Sequence, residues 1–462
     1  MFYYGRRAHM KSFKTIILAA GEGTRMKSKK PKVLHELFHV PMICHVIKAA
    51  QACDTEALCV VVGHKAEEVK NAIAEESISF VLQTQQLGTG HAVMQAMDFI
   101  EEDKNILILY GDTPLITKES LLDLLAFHEK ENNSVSIVSA ILENPEGYGH
   151  IIRDKNGNFL KNIEHKDASE QEKKVKEINT GIYCFKGSAL KTALSKLTNH
   201  NAQGEYYLPD TLEIILQSGG TVNALVTTDA SAFFGINSRV QLAEATAILQ
   251  KRINQKHMEN GVTIVSPETT WIDMEVSIGQ DTILLPNTIL EGNTSIGEDC
   301  TIGPNAKLTN MTIGNGVQLQ SSTALHSSIG NHAIIGPFAY IRPDCHIADN
   351  VKVGDFVEVK NSTIGKGTKI PHLTYVGDTD AGEKINFGCG SITVNYDGNK
   401  KHRTTVEDNV FVGCNANLVA PVTIQKGSYI AAGSTITRDV PENVLAVARA
   451  RQQTIEGWVK KH

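Results

Sequence analysis

The stretch IIGPFAYIRPDCHIADNVKVGDFVEV (residues 334–359) carries the most regular pattern of this 462-residue chain. An aliphatic residue stands at every sixth position: Ile335, Ile341, Ile347, Val353 and Val359. An α-helix would repeat its buried residues at intervals near 3.6, and a half-buried strand at intervals of two. A period of six suits a parallel β-helix, because each six-residue rung forms one side of a triangular coil and turns one side chain inward. The stretch therefore predicts a β-helix.

The six-residue spacing extends to both sides of this stretch. Three further runs show the same spacing: Ile296, Ile302 and Leu308; Ile364, Ile370 and Val376; and Val406, Val412, Leu418, Ile424, Ile430 and Ile436. A β-sandwich would not keep one register over so many repeats, so we expect the β-helix to occupy residues 261–446. Two segments, GDTDAGEK (377–384) and NYDGNKKHRT (395–404), interrupt the spacing. We interpret both as loops that leave the coil and shape a site, the alternative being neutral insertions.

Residues 14–238 follow a different pattern, in which apolar strands alternate with helices. The predicted strands are TIILAA (15–20), ALCVVVG (57–63), NILILYGD (105–112) and VSIVSAIL (135–142), and KESLLDLLAFHEKE (118–131) is a predicted helix. This alternation predicts a Rossmann-like α/β domain with a mostly parallel sheet covered on both faces. Residues 239–260 have helical spacing without Gly or Pro through Lys256, and we expect one helix that links the two halves.

Composition and charge exclude several classes of protein. The net charge of −6 gives no electrostatic reason to expect nucleic acid or an anionic membrane as partner. Eight scattered cysteines without a CxxC pair favour reduced thiols in a cytoplasmic protein and argue against structural zinc. No segment approaches the roughly 18 apolar residues of a membrane span. We expect residues 1–13 to be a leader outside the fold, and residues 447–462 to be a basic tail.

A glycine-rich turn follows the first predicted strand. In LAAGEGTRM (18–26), small residues allow backbone N–H groups to approach a phosphate chain, and Arg25 and the nearby Lys32 supply positive charge. The run lacks the Gly-Lys-Ser/Thr of a Walker A loop, and Met26 stands where GxGxxG requires a third glycine. The turn indicates a nucleotide-phosphate site, while an ordinary tight turn would have a similar composition.

Two further features lie at predicted strand ends. Gln83 and the turn Gly88-Thr89-Gly90 follow a short strand and are placed to read a base edge. Asp112, in Tyr110-Gly111-Asp112, ends an apolar strand at the edge of the sheet where ligands of α/β proteins bind. Its carboxylate suits Mg²⁺, the alternative being a turn or capping aspartate before Pro114.

Polar residues of the repeat half suggest chemistry beyond assembly. Arg342 and Lys360 are 18 residues apart, which is three rungs, so the two cations are expected on the same side of successive coils. Such a pair suits a sugar phosphate, the alternative being exposed basic residues without a ligand. His372 lies close to both predicted loops and can accept a proton from an attacking amine at neutral pH.

The ordered motifs LAAGEGTRM, PKVLHEL, QLGTGHA, LYGDTPL, GYGHI, IEHKDA, INTGIY and GINSR closely resemble those of sugar-nucleotide pyrophosphorylases. With the repeat half included, nearly the whole chain from Lys14 onward resembles one family of bifunctional enzymes. That family joins an N-acetylglucosamine-1-phosphate uridylyltransferase to a glucosamine-1-phosphate N-acetyltransferase. The resemblance implies a left-handed β-helix with three rungs per turn, a homotrimer, and UDP-N-acetylglucosamine synthesis for cell-wall precursors.

For the first half, the resemblance implies uridylyl transfer from UTP to N-acetylglucosamine-1-phosphate, with Arg25 and Lys32 stabilising the developing charge. It assigns Mg²⁺ to Asp112 and Asn237. It assigns UTP and sugar contacts to Leu18, Ala19, Ala20, Gly21, Lys32, Gln83, Gly88, Thr89, Tyr110, Gly111, Asp112, Gly149, Glu164, Asn179 and Asn237. His150 replaces the family's arginine after GYG, and we expect little effect because GYG is intact.

For the second half, the resemblance makes His372 the general base for attack of the glucosamine nitrogen on acetyl-CoA, without a covalent enzyme intermediate. The sugar phosphate would be held by Arg342, Lys360, Tyr375 and Asn386. Acetyl-CoA would contact Cys389, Asn395, Tyr396, Cys414, Ala432 and Arg449. Alanine and serine are the usual residues at positions 389 and 414, and we expect the small cysteines to preserve binding.

Two alternatives stay open at this point. The chain could be a monofunctional sugar-nucleotide pyrophosphorylase whose β-helix serves only assembly, or a non-enzymatic scaffold with decayed sites. The group formed by Arg342, Lys360, His372 and Asn386 argues against the first, because assembly does not need it. Asp112, Asn237, Lys32 and His372 argue against the second.

Overall fold

The computed structural model describes residues 11–461 except Ala74 and Ala202, so most of the predicted leader lies outside the described residues. The chain forms two compact units that meet between Leu249 and Gln250. This boundary falls inside a long helix, Arg239–Glu259, which occupies the segment predicted to link the halves. Within the described residues, no helix combines the length and apolar character needed to cross a bilayer.

The first unit is built on a nine-stranded sheet with seven strands in the order β11-β7-β10-β6-β1-β4-β5 and the hairpin β8–β9 beside β10. A separate two-stranded hairpin is formed by β2 and β3. The strands are β1 Phe13–Ala19, β2 Glu36–Leu37, β3 Val40–Pro41, β4 Ala57–Val62, β5 Ile78–Leu82, β6 Asn105–Tyr110, β7 Val135–Ile141, β8 His150–Arg153, β9 Phe159–Ile163, β10 Glu177–Lys186 and β11 Val222–Val226.

The sheet is mostly parallel, as predicted, with one reversed strand among the seven. Strand β10 lies between β6 and β7 and is antiparallel to both, whereas β1, β4, β5 and β6 pair in parallel. The hairpin β8–β9 reverses the chain after β7, so β10 returns in the opposite direction. No long apolar run marks this hairpin, so the sequence did not predict the reversal.

Helices cover both faces of the sheet, as the strand–helix alternation predicts. They are α1 Met42–Gln51, α2 Ala66–Ile73, α3 Thr89–Gln95, α4 Lys118–Lys130, α5 Gly187–Leu194, α6 Asp210–Gln217 and α7 Arg239–Glu259. Short 3₁₀ segments are Thr24–Met26, Lys32–Leu34, Met97–Phe99, Glu172–Lys174, Ala230–Phe233, Pro267–Thr269 and Trp458–Lys461. Successive residues of β1 point to opposite cores: Ile17 packs with α1, α2 and α4, and Ile16 with α3, α5 and α6. Both faces are thus buried, which explains the unbroken apolar strands.

The second unit is a left-handed parallel β-helix whose three parallel sheets form its faces. The first face contains Thr263–Ile264, Ile283–Leu284, Thr301–Ile302, Gln318–Leu319, Ile334–Ile335, Lys352–Asp355, Lys369–His372, Asn386–Phe387, Phe411–Val412, Tyr429–Ile430 and Leu445–Ala446. The second face contains Trp271–Ile272, Ile289–Glu291, Lys307–Thr309, Thr323–Leu325, Tyr340–Ile341, Glu358–Lys360, Tyr375–Gly377, Ile392–Val394, Asn417–Val419 and Thr435–Ile436. The third face contains Ser277–Ile278, Ser295–Ile296, Thr312–Ile313, Ser328–Ile329, His346–Ile347, Thr363–Ile364, Thr379–Ala381, Thr404–Val406 and Val422–Ile424.

The six-residue spacing corresponds to the interior of the coil. All seventeen aliphatic residues named from the sequence are buried, from Ile296 at 5% exposure to Val353 and Ile370 at 0%. Each stacks on its equivalent one coil away, as Ile341 does on Val359. The apolar column, stacked in register, is the core of this unit and confirms the prediction of a β-helix.

One of the two predicted loops is not a loop. Residues 377–384 continue the coil, because Thr379–Ala381 pairs with the third-face strands on either side. The spacing fails there because Ala381, a small residue, fills the interior only five positions after Val376. Residues 395–404 do leave the coil, in a hairpin closed by a bridge between Tyr396 and Lys401.

Candidate functional site

A cleft of about 310 Å³ opens at the carboxyl ends of β1 and β6 in the first unit. These two strands pair in parallel, so Leu18 and Tyr110 lie side by side where both end. Residues predicted to bind nucleotide or metal that line this cleft are Leu18, Ala19, Ala20, Gly21, Lys32, Gln83, Gly88, Thr89, Tyr110 and Asp112. Arg25 is exposed on the segment Thr24–Met26 and does not line the cleft.

Three polar groups converge at one side of this cleft. The Lys32 ammonium donates hydrogen bonds to a carboxylate oxygen of Asp112 and, at 2.9 Å, to the amide oxygen of Asn237. Asn237 is fixed in turn, since its backbone N–H donates to Gln241 at 2.7 Å. A carboxylate and an amide oxygen that already meet one cation are the hard ligands that Mg²⁺ prefers. The predicted metal ligands Asp112 and Asn237 therefore fit a divalent ion. In this structure the Lys32 ammonium bonds to the same two oxygens.

The amide of Gln83 supports the wall of the cleft. Gln83 is 3% exposed, and its Nε2 donates to the Gly88 carbonyl at 3.1 Å and lies 3.0 Å from His91 Nδ1. Gly88 has a φ of +107°, a conformation that favours glycine, and it leads into α3. Gln83 thus holds the turn in addition to facing the cleft.

The predicted sugar residues form a second cluster around the hairpin β8–β9. The backbone N–H of Asn179 donates to the Gly149 carbonyl at 2.8 Å. A Cβ atom added to Gly149 would lie 2.9 Å from Glu164 Oε1. Only glycine therefore leaves the Glu164 carboxylate undisturbed. Burial raises the pKa of Glu164. The cluster presents a carboxyl and an amide that can hydrogen-bond sugar hydroxyls.

His150 is completely buried beside this cluster. Its Nδ1 lies 2.9 Å from the Val175 carbonyl and its Nε2 lies 3.1 Å from His165 Nδ1. The imidazole therefore ties β8 to two neighbouring segments. The sequence predicted neither this pair nor Asp210, whose pKa is raised to about 6 by burial and by the charges of Glu213 and Glu164.

In the β-helix, Arg342 and Lys360 lie on successive coils of the second face, as their 18-residue spacing predicts. The register pairs Ile341 with Val359, and the backbone N–H of Arg342 donates to the Val359 carbonyl at 2.8 Å. Arg342 also donates to Glu358 at 2.8 Å, and Lys360 Nζ lies 3.4 Å from Asp378 Oδ2. Lys401, from the loop 395–404, comes close enough to Lys360 that this ammonium lowers the pKa of Lys401. Three cations therefore share one site, and the sequence pointed to only two of them.

His372 lies on the first face of the coil that follows Lys360. Its Nδ1 is 2.6 Å from Asp355 Oδ1, and the register places Asp355 directly opposite it on the preceding coil. The hydrogen bond to His372 lowers the pKa of Asp355. Since the His372 side chain is 54% exposed, a substrate can reach it. The sequence did not predict Asp355.

The residues predicted to bind acetyl-CoA continue the line of His372. The register pairs Lys369 with Asn386, Asn386 with Phe411 and Phe411 with Tyr429, so the residues three positions further on are also equivalent. Those residues are His372, Cys389, Cys414 and Ala432, which we call the turn column. At its far end, Arg449 donates to the Ala432 carbonyl at 3.1 Å.

Tyr375, Asn386, Asn395 and Tyr396 complete this region. Asn386 stacks beside Lys369 on the face that holds His372, and Asn395 Nδ2 donates to Tyr375 Oη at 3.2 Å. Asn395 and Asn361 also donate to Asp378; these bonds and Lys360 outweigh burial and keep the pKa of Asp378 low. Tyr396 is 57% exposed at the base of the loop. All residues predicted for the acetyltransferase therefore lie on neighbouring coils or on this loop.

Comparison with known proteins agrees with both halves. A family model described as nucleotidyl transferase matches residues 14–274, and one described as bacterial transferase hexapeptide (six repeats) matches residues 275–310, 326–361 and 403–438. A protein named "Bifunctional protein GlmU" from Caldanaerobacter subterraneus subsp. tengcongensis is 55% identical over 452 residues, which cover 98% of each chain. Proteins of the same name from Thermoanaerobacter pseudethanolicus and Acetivibrio thermocellus are 56% and 51% identical, again over 98% of each chain.

These similarities extend over both units, and they confirm the family predicted from the motifs. A β-helix used only for assembly is not favoured, because the relatives are bifunctional over their full length. The chain belongs to the GlmU family of bifunctional proteins and is an enzyme that joins a nucleotidyltransferase to a hexapeptide-repeat acetyltransferase.

Proposed function

We propose that the β-helix acetylates glucosamine-1-phosphate with acetyl-CoA, and that the first unit then transfers uridylyl from UTP to the N-acetylglucosamine-1-phosphate formed. The observation that carries this proposal is the Asp355–His372 pair, on the same run of coils as the cations Arg342 and Lys360. A coil that served only assembly would need neither an oriented imidazole nor cations stacked on neighbouring coils.

For acetyl transfer, His372 is the proposed general base. Because Nδ1 is engaged with the Asp355 carboxylate, Nε2 is the nitrogen that accepts a proton from the substrate amine. The amine attacks the thioester carbonyl, a C–N bond forms, and the C–S bond breaks to release coenzyme A. The proton held on Nε2 then passes to the departing thiolate. Asp355 stabilises the imidazolium between these steps.

The phosphate of the amino sugar is proposed to lie against the cation cluster. Arg342 presents a planar guanidinium and Lys360 a point charge on adjacent coils, and Lys401 adds a third positive charge from the loop. A bound phosphate would relieve the repulsion between the two lysines. Tyr375 and Asn386 would meet the sugar, and the turn column with Asn395, Tyr396 and Arg449 would meet coenzyme A.

For uridylyl transfer, a phosphate oxygen of the sugar phosphate attacks the α-phosphorus of UTP and pyrophosphate leaves. Asp112 and Asn237 would hold Mg²⁺, which supplies positive charge to the phosphate oxygens. The Lys32 ammonium, displaced from these ligands, would then pair with the phosphates together with Arg25. Glu164, Asn179 and Gly149 would position the sugar.

We also propose a homotrimer assembled through the β-helix. Phe338 and Phe356 stack at 5.3 Å on the outside of the coil and are 59% and 58% exposed. Exposed aromatic residues of this size on adjacent coils favour contact with another copy of the chain.

Two assays test the proposal. Thiol release from acetyl-CoA in the presence of glucosamine-1-phosphate should fall about 10²- to 10⁴-fold in His372→Ala. If the wild type releases no thiol, the chain is a monofunctional pyrophosphorylase. Pyrophosphate release from UTP and N-acetylglucosamine-1-phosphate should vanish in Asp112→Ala. Wild-type activity in that variant would refute the metal assignment.

A further inference from the structure

Cys389 and Cys414 occupy the same turn position on successive coils of the β-helix. The strands that lead into the two turns pair Asn386 with Phe411 and Phe387 with Val412. The Cys389 carbonyl accepts a hydrogen bond from the Asn415 N–H at 2.8 Å, so the register continues into the turns. Neighbouring strands lie about 4.8 Å apart, which is within the Cα–Cα range of about 4.4–6.8 Å that disulfides span.

These two thiols are accessible, unlike most others in the chain. Cys414 is exposed and Cys389 is partly exposed, whereas Cys53, Cys59, Cys184, Cys300 and Cys345 are buried. Cys44, in the first unit, is partly exposed as well. An oxidant in solution can therefore reach the pair, and each member has the other as its neighbour in the turn column.

From this placement we infer that Cys389 and Cys414 form a reversible intramolecular disulfide when the chain meets a low-molecular-weight disulfide. One thiolate attacks the reagent R–S–S–R, giving a mixed disulfide and one R–SH. The second cysteine then attacks the protein sulfur of that mixed disulfide, and the second R–SH leaves. Two protein thiols are oxidised to one disulfide, and one reagent disulfide is reduced to two thiols.

The bridge would be easily reduced. Paired cysteines need Cβ atoms about 3.8 Å apart, so two turns spaced at about 4.8 Å must close by roughly 1 Å. Exposed, strained disulfides are the labile and regulatory ones, and those of reducing compartments are transient.

The bridge would also affect acetyl transfer, a consequence that rests on the proposed function. His372 stands one coil before Cys389 in the turn column, and Ala432 one coil after Cys414. A disulfide drawn across the middle of this column would narrow the path that the thioester takes to His372. Uridylyl transfer uses the cleft of the other unit and would not respond.

The test compares reduced and oxidised full-length enzyme. After treatment with glutathione disulfide and alkylation, mass spectrometry should find one peptide pair linked through Cys389 and Cys414 within a single chain. Acetyltransferase activity should fall at least tenfold relative to the reduced sample, uridylyltransferase activity should stay constant, and dithiothreitol should restore the loss. Cys44→Ser is the matched control and should respond as the wild type does.

Several results would overturn the inference: both thiols alkylated after oxidation, only mixed disulfides with glutathione, links between different chains, or a bridge without loss of activity. In Cys389→Ala and Cys414→Ser, the remaining cysteine should stop at the mixed disulfide. The mass measurement does not depend on catalysis. A reduced enzyme without acetyltransferase activity would therefore refute the proposed function while still testing the bridge.

Discussion

The Asp355 carboxylate and the His372 imidazole face each other across one coil of the β-helix, with 2.6 Å between Oδ1 and Nδ1. A hydrogen bond of this kind fixes the ring orientation and the tautomer, and it leaves Nε2 as the basic nitrogen. The solenoid supplies the alignment, because equivalent positions of successive coils stack in register. An aspartate placed one coil away thus positions a base that is itself half exposed.

Replacing that carboxylate should weaken acetyl transfer without abolishing it. In Asp355→Asn we expect kcat to fall about 10- to 100-fold, less than the 10²- to 10⁴-fold loss typical of removing a general base as in His372→Ala. The acid limb of the pH–rate profile should move to lower pH, because an imidazolium beside a neutral amide is less stable. Thiol release measures both, with uridylyltransferase activity as the control. An unshifted profile would leave Asp355 with a structural role only.

The Lys32 ammonium fills the position that the metal is proposed to take. In Lys32→Met, the oxygens of Asp112 and Asn237 lose their cation, so Mn²⁺ should bind the nucleotide-free enzyme about 3- to 10-fold more tightly. Electron paramagnetic resonance of free Mn²⁺ measures this affinity without turnover. Uridylyl transfer should nevertheless slow, because the positive charge that Lys32 supplies to the phosphates is lost. Asp112→Asn is the opposite control, and weaker Mn²⁺ binding in Lys32→Met would contradict the exchange.

Lys401 should contribute to phosphate binding rather than to chemistry. The positive charge of Lys360 lowers the pKa of Lys401, so the two ammonium groups are close together. The loop therefore brings a third cation to the site. In Lys401→Met we expect the KM for glucosamine-1-phosphate to rise about 3- to 10-fold with kcat within about twofold, and the KM to depend less steeply on salt. Lys400→Met, its exposed neighbour on the same loop, should match the wild type. Equal effects in the two variants would indicate only a general change in loop charge.

The interior of the β-helix could be predicted in detail because one physical requirement, an aliphatic side chain facing inward on each rung, repeats at a fixed interval. The same rule failed at 377–384, where Ala381 meets the requirement with a small side chain one position early. The one reversed strand of the first sheet, β10, was missed for a related reason: the polar hairpin β8–β9 that reverses the chain has no distinct apolar period.

The site residues also divide into those that the repeat spacing could predict and those that it could not. Arg342 and Lys360 could be paired from their spacing, because a multiple of the rung length places them on one face. Asp355 follows a glycine at the end of a strand, where acidic residues are ordinary in these repeats, and only the register of two coils gives it a partner. Lys401 lies in a loop whose path no periodicity describes.

Asp210 provides a test of the electrostatics of the first unit. Burial and neighbouring carboxylates raise its pKa from 3.8 to about 6, so the native protein holds this proton where an unfolded chain, near 3.9, releases it. Between about pH 4 and pH 6 the native state therefore binds more protons, and stability falls as pH rises. Asp210→Asn removes this loss and should gain about 1–2 kcal/mol relative to the wild type above pH 6, allowing for partial solvent screening.

Thermal inactivation of uridylyltransferase activity, with samples heated at pH 5 or pH 7.5 and assayed at one common pH, measures this gain. The advantage of Asp210→Asn should be a few degrees at pH 7.5, since about 1 kcal/mol moves the midpoint by about 2–4 °C, and smaller at pH 5. Asp154→Asn is the control of opposite sign, because hydrogen bonds from Asn158 lower the Asp154 pKa. The pH dependence of its effect lies below about pH 4, so Asp154→Asn should lose the same stability at both test values. An Asp210→Asn advantage that does not grow with pH would mean that the carboxyl is already ionised at pH 5 in the folded chain.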